Sequence, residues 1–476
     1  MKEYPRLKRG DEVELEITGS AFEGKSIARV EGLVVFVEGG VPGDFVTAQI
    51  VKTKKNLIEA KIVRLDRASP LRTTPRCLHF GTCGGCRWQH VDYDAQLRFK
   101  QQHVLDSFER IGGFSDLPLQ PILRAEEIYF YRNKMEFSFS DQEWKESPPV
   151  DSPIPTGLNP EIYLGLHVPQ RFDKILDLKE CHLQSLVSNE ILNFTRKYVR
   201  AMKVPVYSSE SDSGYLRFLV VRQAKRTGEI MVNLVTRTDD PSFMKPFAEK
   251  LKMEVPSVTT IVNTINEKRA QIAFGELERV YVGEGVIREE LGGRTFIISA
   301  GSFFQTNTIQ AERLFGVVRK FGEFKESDIV YDLYSGTGSI ALFVASFVAR
   351  VIGVESVESA LRDAERNITA NNIQNCEFIL GDLKDRLTRD NDWVKSYARP
   401  DVVILDPPRS GIHTKVIERI NALAPPRVIY VSCNPATQAR DVKLFCADKY
   451  RIAKLQPVDM FPHTYHIENV ALLLLK

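Results

Sequence analysis

The stretch DIVYDLYSGTGSIALFVASF, starting at Asp328, constrains the fold more than any other part of the chain. A run of strand-formers closes on Asp332, Gly336 and Gly338 follow, and an apolar helical run takes over. Glycine allows the tight turn and lets a ligand approach the backbone closely. The pattern continues with RVIGVES as a strand and VESALRDAERNITANN as a helix, then CEFILGD, DVVILDPPRSG and PRVIYVSCNP as strands ending in polar turns. Such alternation predicts an α/β fold with a doubly wound, Rossmann-like sheet in residues 291–476.

A chain of 476 residues exceeds one hydrophobic core. Residues 1–66 are read as a small OB-like β-barrel, because short strands alternate there with glycine turns. Such barrels often hold single-stranded nucleic acid, although a fold alone assigns no function. Residues 67–290 are read as a central α+β domain. It opens with a cysteine-rich stretch, continues in a polar helix from Tyr93 to Ile111, and includes strands KMEFSFS and YLRFLVVRQ. The proline-rich insert ESPPVDSPIPTGLNP is read as an exposed loop.

The net charge of +2 singles out no partner. Residues 51–76, however, carry Lys52, Lys54, Lys55, Lys61, Arg64, Arg67, Arg72 and Arg76 against Glu59 and Asp66. That excess suits a polyanion or a solvated face equally. No apolar run approaches bilayer-spanning length, and the charged N-terminus lacks a signal core, so a cytoplasmic protein without a membrane partner is expected. Seven cysteines in such a chain do not suggest a disulfide framework.

Glu355 ends the second strand, nineteen residues after Gly336, where an acid can accept both hydroxyls of a ribose. Gly336, Gly338 and Ala341 also satisfy a dinucleotide turn, so the turn alone leaves the cofactor open. A carboxylate at Asp332 would repel a pyrophosphate and attract the ammonium of S-adenosylmethionine; equally, it would tie down the glycine turn. Asp382 ends the third strand, where it can reach an adenine amine or cap a helix.

Asp406, in DPPRSG, and Cys433, in VSCNP, end two further strands and are expected to face one crevice. A thiol there is either a small packing residue or a nucleophile. MFPHTYHIENV then places His463, His466 and Glu468 before the last strand. No third ligand with motif spacing accompanies the histidines, so a polar loop is the preferred reading over a metal site. Glu468 is a candidate base beside the thiol, or a solvated carboxylate. Cys77, Cys83 and Cys86 follow a C-x5-C-x2-C spacing, with Cys181 as the candidate fourth ligand. Spacing leaves zinc and iron–sulfur open. Cys376 and Cys446 carry no motif and are read as packing residues.

DPPRSG, VSCNP and MFPHTYHIE, together with GSFFQTN at Gly301–Asn307 and DLYSGTG, resemble the S-adenosylmethionine-dependent RNA uracil-5-methyltransferase family of the 23S ribosomal RNA type. SAFEGKSIARVEGLVVFVEGGVPGDFV resembles its TRAM domain, and the resemblance covers nearly the whole chain. It implies Cys433 as nucleophile and Glu468 as base. It places Gln305, Tyr334, Ser339, Glu355, Asp382 and Asp406 at the S-adenosylmethionine site, and Phe303 beside the target base. Some members carry Asn where Ser339 stands. The resemblance also implies a [4Fe–4S] cluster on Cys77, Cys83, Cys86 and Cys181. The partner it implies is RNA, ribosomal or transfer; the TRAM-like domain and the cluster favour ribosomal RNA, and the oligomeric state is left open, with a monomer favoured.

Three other functions account for fewer of these residues. An amine methyltransferase of the DPPY type has no need of Cys433. A non-catalytic RNA-binding protein has no need of the set Cys433, Glu468 and Asp406. A nicotinamide dehydrogenase gives neither Cys433 nor DPPRSG a role.

Overall fold

The computed structural model describes residues 7–54, 57–142, 162–169, 171–387 and 397–476; the proline-rich insert lies outside the described residues. The first five strands, β1 (Glu12–Ser20), β2 (Ser26–Val30), β3 (Leu33–Glu38), β4 (Phe45–Lys54) and β5 (Leu57–Arg67), form a closed barrel in the order β1-β2-β3-β5-β4. Closure leaves no strand edge unpaired. Strand alternation turns Leu15, Ile17, Val35, Val37, Ile50 and Ile58 inward to form its core. The basic excess is divided: Arg72 closes on the buried Asp44 at 2.7 Å, whereas Lys54, Lys61 and Arg67 project from barrel strands.

Helix α1 (Tyr93–Ser107) starts on an Asp92 cap that accepts the amides of Asp94 and Ala95. Next come β6 (Lys134–Ser140), β7 (Tyr163–Val168), β8 (Arg171–Asp177), α2 (Leu186–Ala201), β9 (Leu216–Gln223), β10 (Ile230–Thr236), α3 (Pro241–Glu254), β11 (Thr260–Ile265) and β12 (Leu277–Val282). The described strands among these form one seven-stranded sheet, β12-β11-β10-β9-β6-β7-β8. Apolar side chains of α2 and α3, including Ile191, Val199, Phe247 and Leu251, pack on it. A hairpin, β13 (Val286–Leu291) with β14 (Arg294–Ser299), leads to α4 (Thr308–Gly322).

The last unit contains β15 (Ile329–Leu333), α5 (Ser339–Val344), β16 (Arg350–Glu355), α6 (Glu358–Ala370), β17 (Cys376–Leu380), α7 (Leu383–Arg386), β18 (Val402–Leu405), α8 (Thr414–Leu423), β19 (Arg427–Ser432), α9 (Pro435–Asp448), β20 (Tyr450–Val458) and β21 (Glu468–Leu475). Its sheet runs β17-β16-β15-β18-β19-β21-β20. The first five strands in that order are parallel, and β21 is antiparallel to both its neighbours. Strands covered on both faces need nearly continuous apolar runs, which VVIL and RVIYVS supply. Helix α1 serves this sheet too: Val104 joins a core with Tyr331, Val428 and Phe445. No helix among the described residues is long and apolar enough to cross a membrane.

Candidate active site

The glycine turn after β15 needs three consecutive-but-one residues in the left-handed region: Tyr334 (φ 67°), Gly336 (55°) and Gly338 (78°). A Cβ at Gly338 would stand 2.6 Å from the Phe378 ring, so the close packing also demands glycine. Tyr334 pays no such steric exemption, and a bulky residue with positive φ is an outlier of the kind found at ligand sites. Glu355, at the end of β16, holds the turn: its Oε2 accepts the Gly336 amide at 2.8 Å. Its Oε1 accepts the amides of Ser356 and Val357 at 2.7 and 2.8 Å.

Asp332 does tie down the turn, its Oδ2 accepting the Ala341 amide at 3.1 Å. Its Oδ1 is buried with no hydrogen-bond partner among the described residues. Burial lifts this carboxyl to about 8, with Asp406 and Glu355 adding repulsion. An orphaned oxygen beside two other acids suits a bound cation, such as an ammonium group.

Tyr334, Glu355 and Asp382 line one cleft, joined by Pro408, Ser410 and Arg440. Asp382 also caps α7, accepting the Lys384 amide at 2.9 Å. Gln305, Ser339 and Asp406 lie outside that lining. Ser339 opens α5, with its Oγ 3.3 Å from Thr337 Oγ1. Thr337 Oγ1 in turn donates to the Phe303 carbonyl at 3.1 Å, pinning the GSFFQTN loop to the glycine turn. The Phe303 side chain remains 64% exposed. Asn133 Nδ2 fixes the Gln305 carbonyl at 2.8 Å.

Sheet order explains why the reacting groups meet. Strands β18 and β19 are parallel neighbours, so Asp406 and Cys433 follow them at the same edge. Strand β21 runs the other way beside β19, pairing Ser432 with Asn469, so its first residue, Glu468, starts at that edge. Leu333 faces Leu405 across β15 and β18, which brings Asp406 beside the glycine turn.

The electrostatics follow from this crowding. Burial, then Glu468 and Asp406, push the Cys433 thiol up to about 11, while Arg409 pulls it down through its charge and a side-chain hydrogen bond. Burial, then Asp406, hold the Glu468 carboxyl well above its ordinary range, again opposed by Arg409. Burial raises Asp406 to about 7. Burial, then Arg409, lower His466 to about 3, which keeps the imidazole neutral. A cation therefore serves both the thiol and the acid beside it. Sequence reasoning missed Arg409, although its signal was present: the one basic side chain inside DPPRSG.

Cys77, Cys83, Cys86 and Cys181 line one cavity walled by Phe80, Leu166 and Leu178. Burial is the largest cause of the raised thiol pKa at all four, reaching about 12 at Cys83 and Cys86. The Gly85 amide donates to Cys83 Sγ at 3.4 Å and Gln89 Nε2 to Cys86 Sγ at 3.3 Å. Among the described residues no group of three or more His, Cys, Asp or Glu is arranged to hold a metal ion. The cavity collects four sulfur donors and two N–H donors to sulfur. That donor set fits a thiolate-ligated cluster.

Comparison with known proteins shows the family and the fold. The sequence profile described as tRNA (Uracil-5-)-methyltransferase matches residues 218–476, and that of the TRAM domain matches residues 6–63. An uncharacterized RNA methyltransferase of Porphyromonas gingivalis is 44% identical over 464 residues, 96% of this chain and 99% of that protein. Another, from Chlorobaculum tepidum, is 42% identical and covers 98% of this chain and 97% of its own. The crystal structure of a Pyrococcus abyssi tRNA (uracil-54, C5)-methyltransferase in complex with S-adenosyl-L-homocysteine superposes with a TM-score of 0.72 at 29% identity, covering 97% of this chain and 100% of that one.

Proposed function

Because the chain belongs to the tRNA (uracil-5-)-methyltransferase family and carries its N-terminal TRAM domain, we propose that it methylates carbon 5 of a uridine in RNA through a covalent adduct on Cys433. The observation that carries this reading is the meeting of Cys433, Glu468 and Arg409 at one edge of the sheet.

Carbon 5 of uracil is too weak a nucleophile to take a methyl group directly. The Cys433 thiolate adds to carbon 6, and the displaced electron pair makes carbon 5 an enolate carbon. S-adenosylmethionine, when bound, supplies the methyl group and a positive charge. Glu468 then takes the proton from carbon 5, and elimination returns the thiolate and frees the RNA. Arg409 favours the charged forms that both steps require of Cys433 and Glu468. A paired uridine must leave its stack to reach this edge, and exposed Phe303 offers it a surface to stack on. Tyr334, Glu355 and Asp382 in the cleft, with Gln305, Ser339, Asp406 and the free oxygen of Asp332, would hold the cofactor.

Cys77, Cys83, Cys86 and Cys181 would hold a [4Fe–4S] cluster, which would supply a structural tie between distant loops or a contact for RNA rather than take part in methyl transfer. Protein purified without oxygen should be brown and contain iron; a colourless, zinc-loaded protein would overturn that assignment.

The target we assign is 23S ribosomal RNA, reached by a cytoplasmic monomer. Transfer RNA is the second reading, favoured by the activity of the Pyrococcus abyssi enzyme, whose likeness extends over 97% of this chain. Mapping 5-methyluridine in total RNA, with and without this protein, separates the two. Loss of one site in ribosomal RNA supports the first, loss in transfer RNA the second, and an unchanged map refutes both.

A further inference from the structure

Five residues before Glu468, His463 stands at a φ of 65°. A non-glycine residue there is strained and persists only where its surroundings over-determine it. The restraints here come from the segment that carries the first three thiols and from the elements just after it. The amides of Arg87 and Trp88, directly after Cys86, donate to the His463 carbonyl at 2.9 and 3.0 Å. Fully buried Gln96 lies against the residue: its Oε1 accepts the His463 amide at 2.9 Å, and its Nε2, which donates to the Trp88 and Val91 carbonyls at 3.0 and 2.9 Å, comes within 3.2 Å of His463 Nδ1. Tyr129 stacks on the imidazole at 4.3 Å, and the Tyr131 hydroxyl donates to the Pro462 carbonyl at 3.1 Å.

The segment is fixed at both ends by other means. Upstream, the buried pair Lys100–Asp459 closes at 2.6 Å, with Tyr93 on the second carboxylate oxygen at 2.9 Å. Downstream, Glu468 begins β21 and pairs with Val458. Between these anchors, residues 460–467 carry the chain into Glu468, with His463 held by the contacts above.

We propose that His463 is a positioning residue for Glu468, and that the thiol-bearing loop sets the place of the base by holding the His463 carbonyl on the amides of Arg87 and Trp88. The inference rests on the reading of Glu468 as the base. An ordered loop keeps His463 left-handed and Glu468 beside the adduct. A loosened loop withdraws two of the hydrogen bonds that offset the strain, and the segment relaxes. A misplacement of about 1 Å in such a group is enough for a loss on the order of 100-fold in its step.

The test uses the full-length, iron-loaded protein. His463→Ala should leave formation of the covalent RNA adduct intact and slow its release roughly tenfold or more. His463→Asn should restore release, because asparagine tolerates the left-handed region, although it cannot stack on Tyr129. Equal losses in both variants would mean that the residue only packs, and would overturn the proposal. Gln96→Ala is the second variant should His463→Ala fail to fold, with the same slowed release expected. Independently of activity, stripping the iron by oxidation and chelation should raise amide hydrogen exchange across residues 460–467; unchanged exchange would also overturn it. If the wild type forms no adduct at all, the covalent mechanism falls, and the exchange measurement still decides the coupling.

Discussion

Cys433 and the four thiols of the 77–181 cavity carry the same side chain in contrasting surroundings. Burial raises the pKa of every one of them. Around Cys433 the further neighbours are charged and of both signs: Glu468 and Asp406 resist the thiolate, and Arg409 favours it. Around Cys83 and Cys86 the main opposing influences are neutral donors, the Gly85 amide and the Gln89 side chain, while the thiols resist one another. A thiol next to a guanidinium can be charged one substrate at a time. Thiols that disfavour one another's charge become thiolates together only when a shared cation compensates them. Neighbours, rather than burial, distinguish the proposed nucleophile from the proposed ligands.

The largest test of that contrast removes one thiol from each set. Cys433→Ala should reduce methylation on the order of 10⁴-fold or more while leaving iron content unchanged. Cys86→Ser should do the reverse to the metal, losing iron while Cys433 still reacts with iodoacetamide. Loss of iron in the first variant, or loss of Cys433 alkylation in the second, would break the distinction.

A smaller effect sharpens it. Arg409→Gln should move the alkylation midpoint of Cys433 further above its value of about 11 and slow alkylation near neutral pH by roughly three- to tenfold. The cavity thiols should not respond. The smallest effect concerns Asp332, whose folded-state carboxyl sits at about 8, above its unfolded value. Its stabilising contribution is complete below about pH 4 and lost as pH rises through about 8. The cofactor-free protein should therefore lose thermal stability across that window, and Asp332→Asn should lose less. An identical pH dependence in both proteins would contradict the assignment.

The sequence carried the parallel sheet, because glycine turns and strand-ending acids recur with α/β spacing from Asp328 on. It also carried the pairing of Asp406 with Cys433, since consecutive parallel strands end at one edge. The two readings of Asp332 are both compatible with its position: one oxygen holds the turn and the other has no partner among the described residues. What stayed illegible depends on contacts between remote segments. Lys100 looked like one polar residue of a helix, yet it is buried against Asp459, 359 residues away. Gln96 looked equally ordinary and grips His463 from 367 residues away. No local period encodes such pairs. Arg409 was visible as a charge, but its partners depend on the order in which β18, β19 and β21 lie side by side.

The most direct test of the central claim is a denaturing gel of Glu468→Gln protein incubated with target RNA and S-adenosylmethionine. With the base removed, the Cys433 adduct forms and is not released, so a protein–RNA band that survives denaturation should accumulate. It should be absent from the Cys433→Ala, Glu468→Gln double variant. A folded Glu468→Gln protein that methylates RNA at the wild-type rate without accumulating this band, or a band that persists without Cys433, would contradict the account.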